Sequence, residues 1–175
     1  MEAGQDLPLY LQQFEPYGGL VVNWRMFGSS GLVTRPAGGT LGNFWACAPA
    51  GDAQNTHVKT IANTKYTLRS GPDPHHFVYS GPIYAVNEQF QRVDGPRTDA
   101  PSFQHIALHH YALKSLEEFQ QKINRGQAHG EIGKTLEFFD AVDASTTARC
   151  ADALHFGGQF GALAPLPSSQ ARRAS

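Results

Sequence analysis

The chain has 175 residues, enough for one domain with a packed core, and its 41% apolar and 11% aromatic content excludes global disorder. A net charge of −1, with basic and acidic residues scattered, excludes a nucleic-acid-binding stripe and a polybasic membrane patch. No apolar run reaches transmembrane length and no basic-then-apolar leader opens the chain, so it reads as soluble as given, without membrane contact of its own.

Asp6-Leu7-Pro8 predicts a helix start, with Asp6 as cap and proline in the first turn. Leu7, Tyr10, Leu11 and Phe14 share its apolar face until Glu15-Pro16 ends the pattern. Gly18 to Phe27 begins as an apolar run bounded by glycines, the pattern of a strand buried on both faces. A loop follows in which Gly28 and Gly31 bracket Ser29 and Ser30, small enough for the backbone to approach a ligand and turn amides toward it. Trp24 and Arg25, near the strand's carboxyl end, add an aromatic platform and a fixed cation where open α/β sheets place ligands. The ordinary alternative is a strand and a tight turn, with Trp24 in the core.

Thr34 to Gly39 is turn-rich, Asn43 to Cys47 a short aromatic segment and Gly51 to Asn55 another loop. His57 to Ala62 alternates as a strand, with Val58, Thr60 and Ala62 opposite His57, Lys59 and Ile61. Short strands are expected at His76–Tyr79 and Ile83–Val86, and a surface excursion from Asn87 to Ala100. Ile106 to Tyr111 is a strand that runs into a helix, where Ser115 and Glu118 have capping-box spacing and Gly126 supplies the stop. Further helix is expected over Thr135–Val142 and over Ala144–Leu154. Residues 157–175 are a disordered tail by composition, leaving a single domain over 1–156. Cys47 and Cys150 either pair in an oxidising compartment or stay as buried thiols.

Several of these segments occur together in one order: Asn23-Trp24-Arg25-Met26-Phe27-Gly28-Ser29-Ser30-Gly31, His57-Val58-Lys59-Thr60-Ile61, Pro74-His75-His76-Phe77, and His110-Tyr111 with Lys114-Ser115. Over roughly residues 6 to 145 the chain resembles the C-terminal half of glycosyltransferase family 92. The resemblance implies an α/β, partial GT-A-like fold, a mixed sheet with flanking helices whose N-terminal nucleotide-binding strands are missing. It implies inverting, metal-dependent hexosyl transfer from a nucleotide sugar to a glycan or other hydroxyl acceptor, with Mn2+ or another divalent cation as cofactor. For a full-length protein it implies a Golgi or other secretory membrane location.

In that pattern His110 is the metal ligand and Lys114, at a helix entrance, the cation on the departing diphosphate. Trp24, Arg25, Gly28, Ser29, Ser30, Gly31 and Lys59 complete the candidate substrate-binding set. Lys59 is either a phosphate contact or a solvated strand lysine, and a strand histidine is commonly a hydrogen-bonded structural residue. His75 and His76 are neighbours on a strand and so face opposite ways, which makes at least one structural. No catalytic base is assigned: Asp73, Glu88 and Asp94 are all available. No Asp-any-Asp metal motif occurs, and Leu32 stands where family members often have His. A fragment lacking the acidic motif is therefore expected; the rival from another class is a non-catalytic carbohydrate-binding or interaction module. A histidine-based metal hydrolase fits the eight histidines but has no compact ligand spacing.

Overall fold

The computed structural model describes residues 6–126 and 134–154; the expected tail lies outside them. The elements in chain order are α1 (Leu7–Gln12), β1 (Gly19–Phe27), α2 (Thr40–Asn43), β2 (Ala46–Cys47) and a 3-10 turn at Ala53–Thr56. Then come β3 (Val58–Ala62), β4 (Thr67–Ser70), β5 (Phe77–Tyr79), β6 (Ala85–Val86) and β7 (Arg92–Val93). The last are β8 (Leu108–Tyr111), α3 (Leu116–Arg125), α4 (Leu136–Ser145) and β9 (Ala148–Arg149). The protein is mixed α/β on an open, mixed sheet, with few helices. No helix among the described residues is long and apolar enough to cross a membrane. The described residues divide into two compact units, 6–26 with 48–110 and 27–47 with 111–126 and 134–154.

The first unit is built around β1. Its pairing with β3 is antiparallel, from Gly19↔Ala62 to Asn23↔Val58, while Gly19↔Ala85 and Leu20↔Val86 pair it in parallel with β6. That combination makes the sheet mixed. β7 continues it antiparallel to β6, β8 also pairs with β1, and β4 and β5 form a separate hairpin. The apolar run packs on both faces, as expected. Leu20 and Val22 join Phe14 and Val86 in one core cluster, whereas Val21 joins Val58, Ala85 and Val93 in another. Burial of each such side chain contributes about 1.5–3 kcal/mol. Gly19 is required where it stands, because a Cβ there would lie 2.6 Å from the Ile61 carbonyl oxygen.

Two expectations in this unit need correction, and one strand has no counterpart among them. Asp6 precedes α1 but its side chain makes no capping hydrogen bond. The stretch from Asn87 to Ala100 is no surface excursion throughout, since Asn87, Glu88, Val93 and Thr98 are buried. The β4 strand was not foreseen, because Thr67–Ser70 is too short and too polar to show a period; its hairpin with β5 is what orders it.

The second unit gathers around Phe27, which pairs with Cys47 as β1 ends, and β2 pairs antiparallel with β9. Cys47 and Cys150 form a disulfide that packs with Phe27, Tyr111 and Ala148. The α3 capping box is complete: Ser115 accepts from the Glu118 amide and the Glu118 carboxylate accepts from the Ser115 amide. Gly126 at φ 77° closes the helix in the left-handed region. Fully buried Phe119 packs against Phe138 and Phe139 of α4, whose cap is Thr135. Helix over Ala144–Leu154 is not formed. Here α4 ends at Ser145, and β9 together with the bond from the Cys150 amide to the Trp45 carbonyl takes the chain into the sheet. Tertiary pairing and the disulfide outweigh the alanine-rich local preference.

Candidate functional site

In the first unit four rings meet. Trp24 stacks on His110 with centroids 4.0 Å apart and on His57 at 5.0 Å, and His75 tilts against it at 5.3 Å. Each ring comes from a different place: β1, the residue before β3, the turn before β5, and β8. His57 Nδ1 faces the Gln54 carbonyl at 3.1 Å, and His75 Nδ1 faces the Val58 carbonyl at 2.8 Å. A carbonyl only accepts, so both Nδ1 atoms carry the proton and both Nε2 atoms are acceptors when the rings are neutral. Burial favours the neutral form of His57 and lowers its pKa; Arg97 and His75 push the same way, against the bond to Gln54. The Trp24 ring is half-buried, and its indole N–H is buried without an acceptor among the described residues.

His76 stands beside His75 in the turn that precedes β5, so the expected strand alternation does not apply to this pair. Its Nδ1 lies 2.8 Å from Asp73 Oδ2, while Asp73 Oδ1 accepts from the His75 amide at 2.8 Å. Lys59 donates to the Pro74 carbonyl at 3.3 Å and Thr60 Oγ1 to the His75 carbonyl at 2.6 Å, so this turn covers the outer side of β3.

Arg25 follows Trp24 and leaves β1 on the opposite face, where its guanidinium lies 4.7 Å from the centre of the Phe103 ring. There it borders a cavity of about 1010 Å³ with Arg97, Asp99 and Gln104. The wall of this cavity is pinned by Glu88, whose carboxylate is 5% exposed and accepts from the amides of Gln104, His105 and Ile106 at 2.7–2.8 Å and from the Ser102 hydroxyl. Burial alone would raise its pKa, but those four donors hold it below the usual carboxylate range. Asp94 accepts from Arg92 Nε at 2.9 Å. All three carboxylates considered as bases are thus engaged with protein partners. Asp99 and Arg97, which sequence reasoning passed over, reach the cavity; neither lies in a recognisable motif, and only the return of the chain past β7 brings them there.

The second unit holds the glycine-serine loop and Lys114. Ser29 and Ser30 are 2% and 4% exposed. The Ser29 amide donates to Asp143 Oδ1 at 2.7 Å and the Gly28 amide to the Ala46 carbonyl at 3.0 Å. Ser29 Oγ accepts from the Gly31 amide, and Ser30 Oγ accepts from the Trp45 and Ala46 amides. The amides of Gly28, Ser29 and Gly31 and both hydroxyl oxygens are thus engaged within the protein. A Cβ at Gly28 would collide with Thr146 Oγ1 and lie 2.8 Å from Asp143 Oδ1. Gly28→Ala is expected to destabilise by about 1–3 kcal/mol through overpacking, read as a lower denaturant midpoint at unchanged slope. An unshifted midpoint would mean the loop yields freely. Lys114, at φ 61°, precedes the α3 cap and pairs with Glu118 at 3.6 Å. With Arg35, also missed from sequence, it lines a cavity of about 220 Å³.

The candidate residues therefore divide: Trp24, Arg25, Lys59 and His110 belong to the first unit, and Gly28, Ser29, Ser30, Gly31 and Lys114 to the second. Manganese prefers carboxylate oxygens, whereas Trp24 brings together imidazoles. Among the described residues, no three His, Cys, Asp or Glu side chains are grouped to hold a metal ion. This donor set does not by itself fit manganese.

Fold and site together define a mixed α/β protein with an imidazole-ringed tryptophan and a large polar cavity on one unit. Compared with family models, curated proteins and solved structures, the chain matches none of them.

Proposed function

We propose that this chain is the acceptor-side part of a glycosyltransferase of family 92 type, a GT-A-like enzyme that moves a hexosyl group from a nucleotide sugar to a glycan hydroxyl with inversion. One observation carries the proposal. Four of the segments that resemble the family each send one ring to the same cluster: Trp24, His57, His75 and His110. Convergence of these segments on one ring cluster is what a shared site requires, and it supports the reading. The polar cavity bordered by Arg25 offers a sugar amide, guanidinium and aromatic contacts. Lys114, beside Arg35, is the cation for a diphosphate. Manganese, the cofactor of the complete catalytic domain in this proposal, would take His110 from this chain and acidic ligands from elsewhere. The Cys47–Cys150 disulfide suits an oxidising compartment such as the secretory lumen.

The chain has two tryptophans, so Trp45→Phe leaves Trp24 as the sole indole reporter. Titration of that variant with neutral hexose tetrasaccharides of several linkages is expected to shift its emission saturably. Histidine-to-alanine exchange at position 57 is expected to weaken the effect about tenfold, or ~1.4 kcal/mol. No response to any saccharide would overturn the proposal. Calorimetry with manganese and a uridine or guanosine sugar nucleotide then separates enzyme from module: saccharide binding without donor binding favours a non-catalytic carbohydrate-binding module, to which the missing Asp-any-Asp motif already points.

A further inference from the structure

The cavity of about 1010 Å³ lies within the first unit and is at the top of the ~300–1,000 Å³ range of small-molecule sites. Most of the polar side chains on its wall are already committed. Arg92 and Asp94 pair with each other, Nε to Oδ2 at 2.9 Å. The Ser102 hydroxyl donates to Glu88, Thr98 Oγ1 accepts from Asn23 Nδ2 at 2.7 Å, and Asn87 Nδ2 donates to Gln91 Oε1 at 2.9 Å. Arg25 lies over Phe103 and is engaged within the protein. What remains on the lining is the Arg97 guanidinium, the Asp99 carboxylate and the carboxamides of Gln89 and Gln104. These side chains are exposed and make no hydrogen bond or ion pair among the described residues. One cation, one anion and two neutral amides offer donors and acceptors without net charge.

We infer that Asp99 is the specificity-determining carboxylate of a neutral-sugar subsite in this cavity, accepting from both hydroxyls of a vicinal diol. This rests on the acceptor-side assignment above and names the acceptor's chemical class, an uncharged hexose with adjacent free hydroxyls. A carboxylate presents two oxygens side by side that only accept, and a vicinal diol presents two O–H donors at matching separation. Bonds to an ionised acceptor are about twice as strong as those between neutral groups, so the diol is the part of the sugar held hardest. Arg97 and the two carboxamides serve the remaining oxygens. An anionic sugar would set its charge beside Asp99, with Arg97 there to offset only one of the two. Arg97 also stands opposite His57 in an isolated antiparallel bridge, which joins this wall of the cavity to the ring cluster around Trp24. The four bonds to Glu88 hold the Ser102–Ile106 wall before any ligand arrives, so little ordering is needed on binding.

The test is calorimetric titration of the full chain with neutral hexose tetrasaccharides of several linkages, then with the monodeoxy derivatives of the tightest binder. Removing either of two adjacent hydroxyls is expected to weaken binding about tenfold, because a site built to hydrogen-bond a hydroxyl rejects the analogue that lacks it. Asp99→Asn should weaken the parent saccharide about tenfold and erase the loss at those two positions, leaving the other deoxy positions as in wild type. Asp99 is exposed, so its exchange should not move the urea midpoint, and Lys65→Gln, on a residue outside the cavity lining, should leave binding unchanged. An Asp99→Asn variant that binds the parent as wild type does, one that keeps the deoxy losses, or a loss confined to a single hydroxyl overturns the inference while leaving the acceptor-side assignment standing. Failure of every tetrasaccharide to bind overturns both.

Discussion

Glu88→Ala is expected to lower stability by about 3 kcal/mol at neutral pH, because it strips the acceptor from three backbone amides and one hydroxyl at a site 5% exposed. Water reaches some of these donors once the side chain is gone, which keeps the loss below the sum of four full penalties. A Glu88→Gln side chain retains one acceptor oxygen and turns an amide group toward the other donors, so an intermediate loss is expected. The pH dependence has a definite sign. The folded-state pKa of Glu88 is depressed relative to the unfolded chain. Its contribution is therefore fully present above the unfolded value and is lost as pH falls through the folded one. Urea melts at neutral and acid pH check this. The difference in unfolding free energy between wild type and Glu88→Gln should narrow on acidification, and a constant gap would show that the ionised form is not what the four donors recognise.

Loss of the Cys47–Cys150 bond is expected to have the largest effect on stability. It spans a sequence separation of 103 residues, and constraining an unfolded loop of about 100 residues is worth ~4.7 kcal/mol at 25 °C in the chain-entropy account. Domains commonly have only ~5–15 kcal/mol in total. The Cys47→Ala, Cys150→Ala double variant, or the reduced wild type, should thus melt far earlier and lose the β2–β9 pairing first, since Cys47 and Cys150 sit within or beside those strands. Denaturant midpoints with and without a thiol reductant measure the shift. A reduced protein as stable as the oxidised one would place the stability in the Phe27 and Tyr111 packing instead.

Much of the local structure was legible from residue order. The glycine-bounded run of β1, the alternation of β3 and the Ser115–Glu118 capping box each carry a strong, short-range signal, and each stands in the fold. Less of the site was. Glycines and serines at 28–31 read as a ligand loop because local chemistry cannot reveal whether an amide is taken; Asp143 and the Ala46 carbonyl, both distant in sequence, take them. The same blindness applies to Glu88, whose partners at 102–106 make a turn-rich acid into a buried anchor. Arg97 and Arg35 escaped notice for the converse reason: they stand in turns, where a cation usually means only solvent contact.

Sequence alone determined the mixed α/β class and the central buried strand, since hydrophobic period and caps are properties of neighbours along the chain. Tertiary structure decided the rest: the pairing of Cys47 with Cys150, the turn of Ala148–Arg149 into a strand, and the meeting of Trp24 with three histidines. These are contacts between residues tens of positions apart. Their formation depends on where the sheet brings the chain back, and no local pattern records that return.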